Sequence, residues 1–116
     1  MPYLGKDLQR LARFHDIPYQ FPKQFPARTI MAQRALTAVS DDQRAEVSQT
    51  LFRAYWVDGE DVADPETVAR ITGPEAVEAA GTQPIKDALI QATEEAAKRG
   101  AYGAPAFFVG EELFFG

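Results

Sequence analysis

The sequence has 116 residues, of which 46% are hydrophobic and 25% charged, values typical of one globular domain with a sizeable core. The net charge is −5 and no basic block is present, so the composition argues against nucleic-acid binding. The chain has no cysteine, which excludes disulfides and thiol redox chemistry within it, and no apolar run approaches the roughly 20 residues of a membrane span. The first residues lack a signal-peptide pattern, so a cytoplasmic location is expected.

The first predicted element is a helix from about Tyr3 to His15 that ends before Pro18. Apolar residues recur at helical spacing on one of its faces, at Leu4, Leu8, Leu11, Ala12 and His15. His15 is the one histidine of the chain, and it is either a general base or a residue favoured by the dipole at the helix end. The second interpretation is preferred, because no serine, cysteine or carboxylate stands near it in a recognisable catalytic pattern.

Three prolines separate aromatic residues over the next segment, residues 18–27, and predict an extended connector that is not a central strand. Its aromatic side chains, Tyr19, Phe21 and Phe25, are expected to cover the core. A helix from about Arg28 to Val39 follows.

A capping box, with Ser40 as N-cap and Gln43 reaching back to it, predicts the start of a helix that runs to about Val57. The end of this helix holds the richest apolar cluster of the sequence, which includes Phe52, Tyr55 and Trp56. The cluster forms either the core of the helical region or an apolar wall for an aromatic substrate.

Closely spaced acids follow at residues 58–61, but the EF-hand ligand pattern is missing, so a solvated loop and no metal site are expected. Asp64 and Pro65 predict a helix start, and Gly73 predicts its end near Thr72. A short helix over residues 74–80 is predicted next. The last predicted helix opens at Thr82 or Gln83, ends at Gly100, and is expected to bury a stripe of Ile85, Leu89, Ala92 and Ala96.

The C-terminal stretch changes character after Gly100. A Gly-Ala-Pro turn at residues 103–105 precedes two short apolar runs, residues 106–109 and 113–115, which a Gly-Glu-Glu turn separates. This pattern predicts a β-hairpin with Pro105 at the first residue of a strand or on its edge. An X-Pro bond at such a bend is also the one place where a cis peptide is tolerated. The predicted fold class is therefore mainly α with a short C-terminal β-hairpin.

The chain resembles the family of 2-hydroxychromene-2-carboxylate isomerases and kappa-class glutathione transferases, within the DsbA-like group of thioredoxin-like proteins. Four stretches carry the resemblance, residues 3–12, 17–22, 33–39 and 102–109, together with Trp56 and the Gly-Glu-Asp-Val run at residues 59–62. The resemblance implies a partial thioredoxin-like α/β fold, with residues 1–100 as its helical insertion domain and residues 101–116 as its cis-proline loop and hairpin. Family members begin with a strand and helix that present a serine and continue beyond the hairpin, so this chain is expected to be truncated at both ends.

The resemblance also implies glutathione as cofactor and a small aromatic substrate. The residue before the cis proline binds the cysteinyl part of glutathione through its main chain, and the matching positions here are Ala104 and Pro105. Phe52 and Trp56 are the candidate substrate-binding residues. The catalytic residue is unknown, because Ser40 and Ser48 both belong to a helix and neither follows a strand.

The sequence and the resemblance together leave three possible functions. The first is a glutathione-dependent isomerase of the 2-hydroxychromene-2-carboxylate type, with this chain as an inactive fragment. The second is a kappa-type glutathione transferase, and the third is a non-catalytic helical module that binds a protein partner through Phe52, Tyr55 and Trp56. Because a hairpin with free edges invites pairing with another chain, a homodimer or strand-swapped oligomer is expected.

Overall fold

The computed structural model describes residues 2–116 and shows helices followed by one antiparallel hairpin. In this range the elements are α1 (Pro2–Phe14), α2 (Ile30–Ala38), α3 (Asp41–Trp56), α4 (Pro65–Thr72), α5 (Pro74–Ala80), α6 (Gln83–Lys98), β1 (Ala106–Val109) and β2 (Glu112–Phe115). The predicted fold class, mainly helical with a C-terminal hairpin, is confirmed. Within residues 2–116, none of the helices combines the length and the apolar character that crossing a membrane requires.

Helix α1 ends in a Schellman motif. The N–H of Ile17 donates to the carbonyl of Ala12 at 2.8 Å, and the N–H of Asp16 donates to that of Arg13 at 3.2 Å. Asp16 occupies the left-handed position of the motif, with φ 54°. The chain therefore leaves the helix before it reaches Pro18, which follows this closure.

The apolar face of α1 is largely uncovered. Leu11 is 55% exposed and Phe14 82% exposed, and His15 is also exposed. Among the described residues, the Cα atoms of α1 lie more than 8 Å from those of every other helix and of both strands. None of the described helices or strands therefore covers this face.

The core lies between α2, α3, α4 and α5 and consists of small side chains. Its buried residues are Ala32, Ala35, Val39, Leu51, Ala54, Val62, Val68, Ala76 and Ala80. Small side chains let helices approach closely, and each contributes little buried apolar area. The connector of residues 18–27 forms no helix or strand, as predicted, and runs past the C-terminal end of α3, where the N–H of Gln20 donates to the carbonyl of Trp56.

The junction of α2 and α3 differs from the predicted capping box. Ser40 does occupy the N-cap position, but its hydroxyl makes no cap hydrogen bond, so the box with Gln43 is wrong. Arg44 stabilises the junction instead: its side chain donates to the carbonyls of Leu36 at 2.9 Å and Val39 at 2.7 Å. The guanidinium thus bonds to the Val39 carbonyl beyond the end of α2, and it shares the Leu36 carbonyl with the N–H of Val39, which donates to it at 3.2 Å.

Helices α4 and α5 begin and end as predicted. The carboxylate of Asp64 accepts the N–H of Glu66 at 3.0 Å, and Pro65 is the first residue of α4. Gly73 is both the C-cap of α4 and the N-cap of α5, and its φ of 99° is a conformation that glycine adopts without strain.

The buried stripe predicted for α6 is wrong. Ile85, Leu89 and Ala96 are half-buried, Ala92 is exposed, and none of the residues of α6 is fully buried. The helix packs on α2 and touches α5 along one side only. Ile90, which is 52% exposed, lies beside α2 and lines a groove together with Ile30 and Arg34.

The hairpin closes through the two-residue turn Gly110-Glu111, in which Gly110 has φ 60°. Its register pairs Phe107 with Phe114 and Phe108 with Leu113. Alternation along the strands therefore gives two faces, one with Phe108 and Leu113 and one with Phe107 and Phe114.

The end of α6 covers the first of these faces. The guanidinium of Arg99 lies 3.9 Å from the ring centroid of Phe108 and donates to the carbonyl of Gly110 at 3.0 Å. The ring of Tyr102 packs on that of Phe115, with centroids 4.7 Å apart. The second face is left open, since Phe107, Val109 and Phe114 are 46 to 68% exposed.

Candidate functional site

An apolar groove of about 450 Å³ lies between α2, α3 and the connector. Both predicted substrate-binding residues, Phe52 and Trp56, line it, since they are one helical turn apart on α3. Phe52 is 64% exposed and Trp56 is half-buried. An exposed phenylalanine beside a half-buried tryptophan is an arrangement that can receive a flat apolar ligand.

Three further aromatic rings surround Trp56. Tyr55 meets it edge to face with centroids 4.9 Å apart, Phe25 is 6.2 Å away at 58°, and Tyr19 stacks on it at 6.1 Å and 23°. Tyr55 and Phe25 also line the groove. The expectation that Phe25 only covers the core is corrected here, because it is 51% exposed and forms part of the groove wall.

The two tyrosines of this cluster differ in their hydroxyl groups. The hydroxyl of Tyr55 donates to the carbonyl of Gln24, which ties the connector to α3. The hydroxyl of Tyr19 is buried and has no hydrogen-bond partner in the described part of the chain. Burial raises the pKa of both phenols above the ordinary value of 10, so both rings are uncharged at neutral pH.

The polar groups of the groove are all neutral. Thr29 makes no cap hydrogen bond to α2, and the side chain of Gln33 makes no hydrogen bond within the described residues. The Ser48 hydroxyl donates to the carbonyl of Arg44 at 2.7 Å, so its oxygen is left only as an acceptor. Neither Ser48 nor Ser40 follows a strand, and the catalytic residue stays unassigned.

The second predicted site is the loop before β1. The Ala104–Pro105 peptide is cis, and both residues are exposed. Within residues 2–116, neither the N–H nor the carbonyl of Ala104 bonds to another main-chain group. The carbonyl of Pro105 accepts the N–H of Gly116 at 3.3 Å, which aligns the loop with the start of the hairpin.

The outer edge of β1 continues from this loop. Because Pro105 and Gly116 share a hydrogen bond, antiparallel alternation turns the main-chain groups of Ala106 and Phe108 away from β2. The described residues supply no third strand. Ala104 and this edge therefore present a row of main-chain donors and acceptors that is open to an extended ligand.

The structure does not bring the two predicted sites together. The Cα atoms of both strands lie more than 8 Å from those of α2 and α3, the helices that line the groove. Phe52 and Trp56 thus share one groove, while Ala104 and Pro105 share a separate loop at the far end of α6. Phe25 and Thr29, the groove residues that the sequence did not reveal, lie far from Phe52 along the chain and reach it only by folding.

Comparison with known proteins identifies a family and individual relatives of the chain. The family model of the DSBA-like thioredoxin domain matches residues 1–116. The chain is similar to glutathione S-transferase kappa 1 of Homo sapiens, with 31% identity over 120 residues that cover 89% of this chain and 53% of the relative. The Rattus norvegicus protein of the same name is 29% identical to this chain, and the match again covers 89% of this chain and 53% of the relative.

A solved structure of selenomethionine 2-hydroxychromene-2-carboxylate isomerase has the same fold. It superposes with a TM-score of 0.81 over 98% of this chain and 59% of that protein, at 24% identity. The chain spans about half the length of the curated relatives it matches.

Proposed function

Because the chain belongs to the DSBA-like thioredoxin domain family, we propose that it serves glutathione-dependent chemistry on a small aromatic compound. The observation that supports this most is that the main chain of Ala104 and of the outer β1 edge has no main-chain partner within residues 2–116, which suits the cysteinyl part of glutathione. Glutathione is an extended tripeptide and would add to this edge as a short strand. The relatives named for glutathione transfer support the same ligand.

The aromatic substrate would bind in the groove lined by Phe52 and Trp56. In this proposal residues 1–100 form a helical insertion domain that binds the substrate. Residues 101–116 form part of a thioredoxin-like domain, and this part binds glutathione. A glutathione thiolate would attack an electrophilic carbon of the substrate. Because the groove and the Ala104 loop lie apart within one chain, this proposal requires the homo-oligomer proposed below to bring the two sites together. Hydrogen bonding to the thiolate would lower the pKa of the thiol and raise the reactive fraction.

Two activities fit this scheme. In a 2-hydroxychromene-2-carboxylate isomerase, transient addition of the thiolate opens the chromene ring, and glutathione leaves again. In a kappa-type transferase the thioether conjugate is the product, and with a halonitrobenzene the new carbon–sulfur bond replaces the carbon–halogen bond while the halide leaves. Turnover of a chromene carboxylate compared with turnover of a halonitrobenzene, both with glutathione, separates the two activities.

We propose further that residues 1–116 alone have little or no activity, because neither serine is placed to stabilise a thiolate. Ser40 lies at the start of α3 and the Ser48 hydroxyl is bonded within it. The unpaired hairpin and its open face, with Phe107 and Phe114, support a homodimer or strand-swapped oligomer.

The test is a calorimetric titration of glutathione into this chain. We expect saturable binding that is lost in Ala104→Pro, which removes the main-chain N–H. Ala104→Ser keeps both main-chain groups and is expected to bind within about threefold of the parent chain, because the contact does not use the side chain. If Ala104→Pro binds glutathione as tightly as the parent chain, or if the parent chain does not bind glutathione up to millimolar concentration, the proposal that Ala104 binds glutathione is contradicted.

A non-catalytic helical module is the remaining alternative. It would bind a protein through the exposed Phe52 and the neighbouring Tyr55 and Trp56. It predicts no affinity for glutathione and a protein partner whose binding Phe52→Ala abolishes.

A further inference from the structure

The groove that holds Phe52 and Trp56 has no charged residue among its lining side chains in the described part of the chain. Three other grooves on the described part of the surface each combine acidic and basic lining residues. These are Arg13 with Asp16, Arg34 and Lys86 with Glu94, and Lys23 with Glu60 and Asp61. The uncharged lining therefore distinguishes this groove from those three.

An uncharged lining has a direct consequence for anionic ligands. A carboxylate that moves from water into an apolar site loses its hydration. A cation or several hydrogen-bond donors must compensate for this loss. The groove contains two neutral polar groups that could bind a ligand, the hydroxyl of Thr29 and the amide of Gln33. The hydroxyl of Ser48 donates its proton to the Arg44 carbonyl and is therefore not available as a donor. That oxygen acts only as an acceptor and would repel a carboxylate.

The size and the walls of the groove limit the rest of the ligand. A volume of about 450 Å³ is near the lower end for small-molecule sites. The rings of Phe25, Phe52, Tyr55 and Trp56 suit a flat partner, which they would contact by offset stacking or edge to face. The neutral polar groups of Thr29 and Gln33 suit one nitro, carbonyl or amide substituent.

We propose that this groove binds an uncharged aromatic compound of one or two rings with a neutral polar substituent, and that it discriminates against the corresponding carboxylate. The inference rests on the proposed function and narrows it. It assigns the substrate to uncharged aromatic electrophiles and favours conjugation to glutathione over isomerisation of a chromene carboxylate.

A matched pair of ligands tests the inference without glutathione. 2-Naphthamide and 2-naphthoate have the same rings and nearly the same shape, and differ in charge at pH 7.5. Calorimetry on the whole chain is expected to show that the amide binds at least about tenfold more tightly, because only the carboxylate loses its hydration without compensation. Trp56 is the only tryptophan, so a shift of its indole N–H resonance locates the ligand in the groove.

Three variants locate the preference in the groove. Phe52→Ala removes an exposed wall residue and is expected to weaken amide binding about tenfold. Ile90→Ala, a change of a similarly exposed residue on α6, is the matched control and is expected to leave binding unchanged. Gln33→Arg places a guanidinium at the groove and is expected to bring the two affinities within about threefold of each other or to reverse them.

Equal affinities in the parent chain, tighter binding of the naphthoate, or no binding of either ligand would each overturn the inference. An effect of Ile90→Ala as large as that of Phe52→Ala would do so as well. These outcomes are independent of the glutathione titration, which reports on Ala104. The ligand class and the glutathione site can therefore fail separately.

Discussion

At the scale of single residues, two tyrosines of one aromatic cluster have opposite surroundings. The Tyr55 hydroxyl donates to the Gln24 carbonyl and links two segments of the chain, whereas the Tyr19 hydroxyl is buried and has no partner among the residues that the structure describes. A buried donor without a partner costs free energy, so the same deletion of an oxygen atom has different consequences at the two positions.

We expect Tyr55→Phe to lower the free energy of unfolding by about 0.5 to 1.5 kcal/mol, because one hydrogen bond is lost. Tyr19→Phe is expected to leave stability unchanged or to raise it by up to about 1 kcal/mol, because an unsatisfied hydroxyl is removed while the ring keeps its stacking on Trp56. Urea unfolding followed by circular dichroism measures both. A larger loss for Tyr19→Phe than for Tyr55→Phe would show that the Tyr19 hydroxyl has a partner in solution.

Both phenols also predict a dependence on alkaline pH. Burial raises their pKa in the folded chain, so the folded state holds these protons more tightly than the unfolded state does. The pH-dependent part of their contribution to stability is fully present below about pH 10 and is lost as pH rises through the raised pKa of the folded state. In the same urea series, Tyr19→Phe should lose less stability between pH 9 and pH 11 than the parent chain.

At the scale of helices and strands, two N-cap residues provide a matched comparison. Asp64 accepts the N–H of Glu66 at 3.0 Å, whereas Ser40 occupies the N-cap position of α3 without a cap hydrogen bond. The sequence predicts a cap at both positions, because serine and aspartate are both favoured there. The difference arises at α3, where Arg44 makes the connection between the two helices.

Asp64→Ala is expected to lower the free energy of unfolding by about 1 kcal/mol, through loss of the cap hydrogen bond. Ser40→Ala is expected to change it by less than about 0.3 kcal/mol, because no cap hydrogen bond is lost there. Thermal and urea unfolding of the pair measure the difference directly. Equal losses would mean that Ser40 caps α3 in solution.

At the scale of the whole molecule, the chain exposes more surface than its size requires. Its accessible surface is 8702 Å², whereas a compact monomer of 12.8 kDa has roughly 6,300 Å². Its radius of gyration is 15.5 Å, against about 13.4 Å for a compact domain of this length. The excess comes from elements that pack on little else, including α1 and the open face of the hairpin.

We therefore expect the chain to associate in solution, because this excess area is larger than the roughly 1,600 Å² that a standard interface buries. Sedimentation at micromolar concentration is expected to show a dimer or larger oligomer. Replacing the outward Phe107 and Phe114 by threonine, which suits a strand, is expected to shift the chain towards monomer. If the parent chain sediments as a monomer at all concentrations, the expected self-association is contradicted.

Part of the candidate site was predictable from local patterns. Phe52 and Trp56 are four residues apart in one helix, so a single helical period places them on one side of α3. Phe25 and Thr29 contribute to the same groove from the connector and the start of α2, and no local pattern links them to α3. Their approach depends on how the connector passes the end of α3, which is a matter of tertiary packing.

The sequence by itself determined approximately where the helices and the hairpin begin and end, because prolines, turn glycines and caps such as Asp64 act on the backbone of their immediate neighbours. Asp64, Gly73 and Gly110 stand where those rules place them. Only the tertiary structure decided which apolar faces are buried. The stripe of α6 has the period of a buried face and is half-exposed, because burial depends on which elements meet, and the described residues cover one side of that helix.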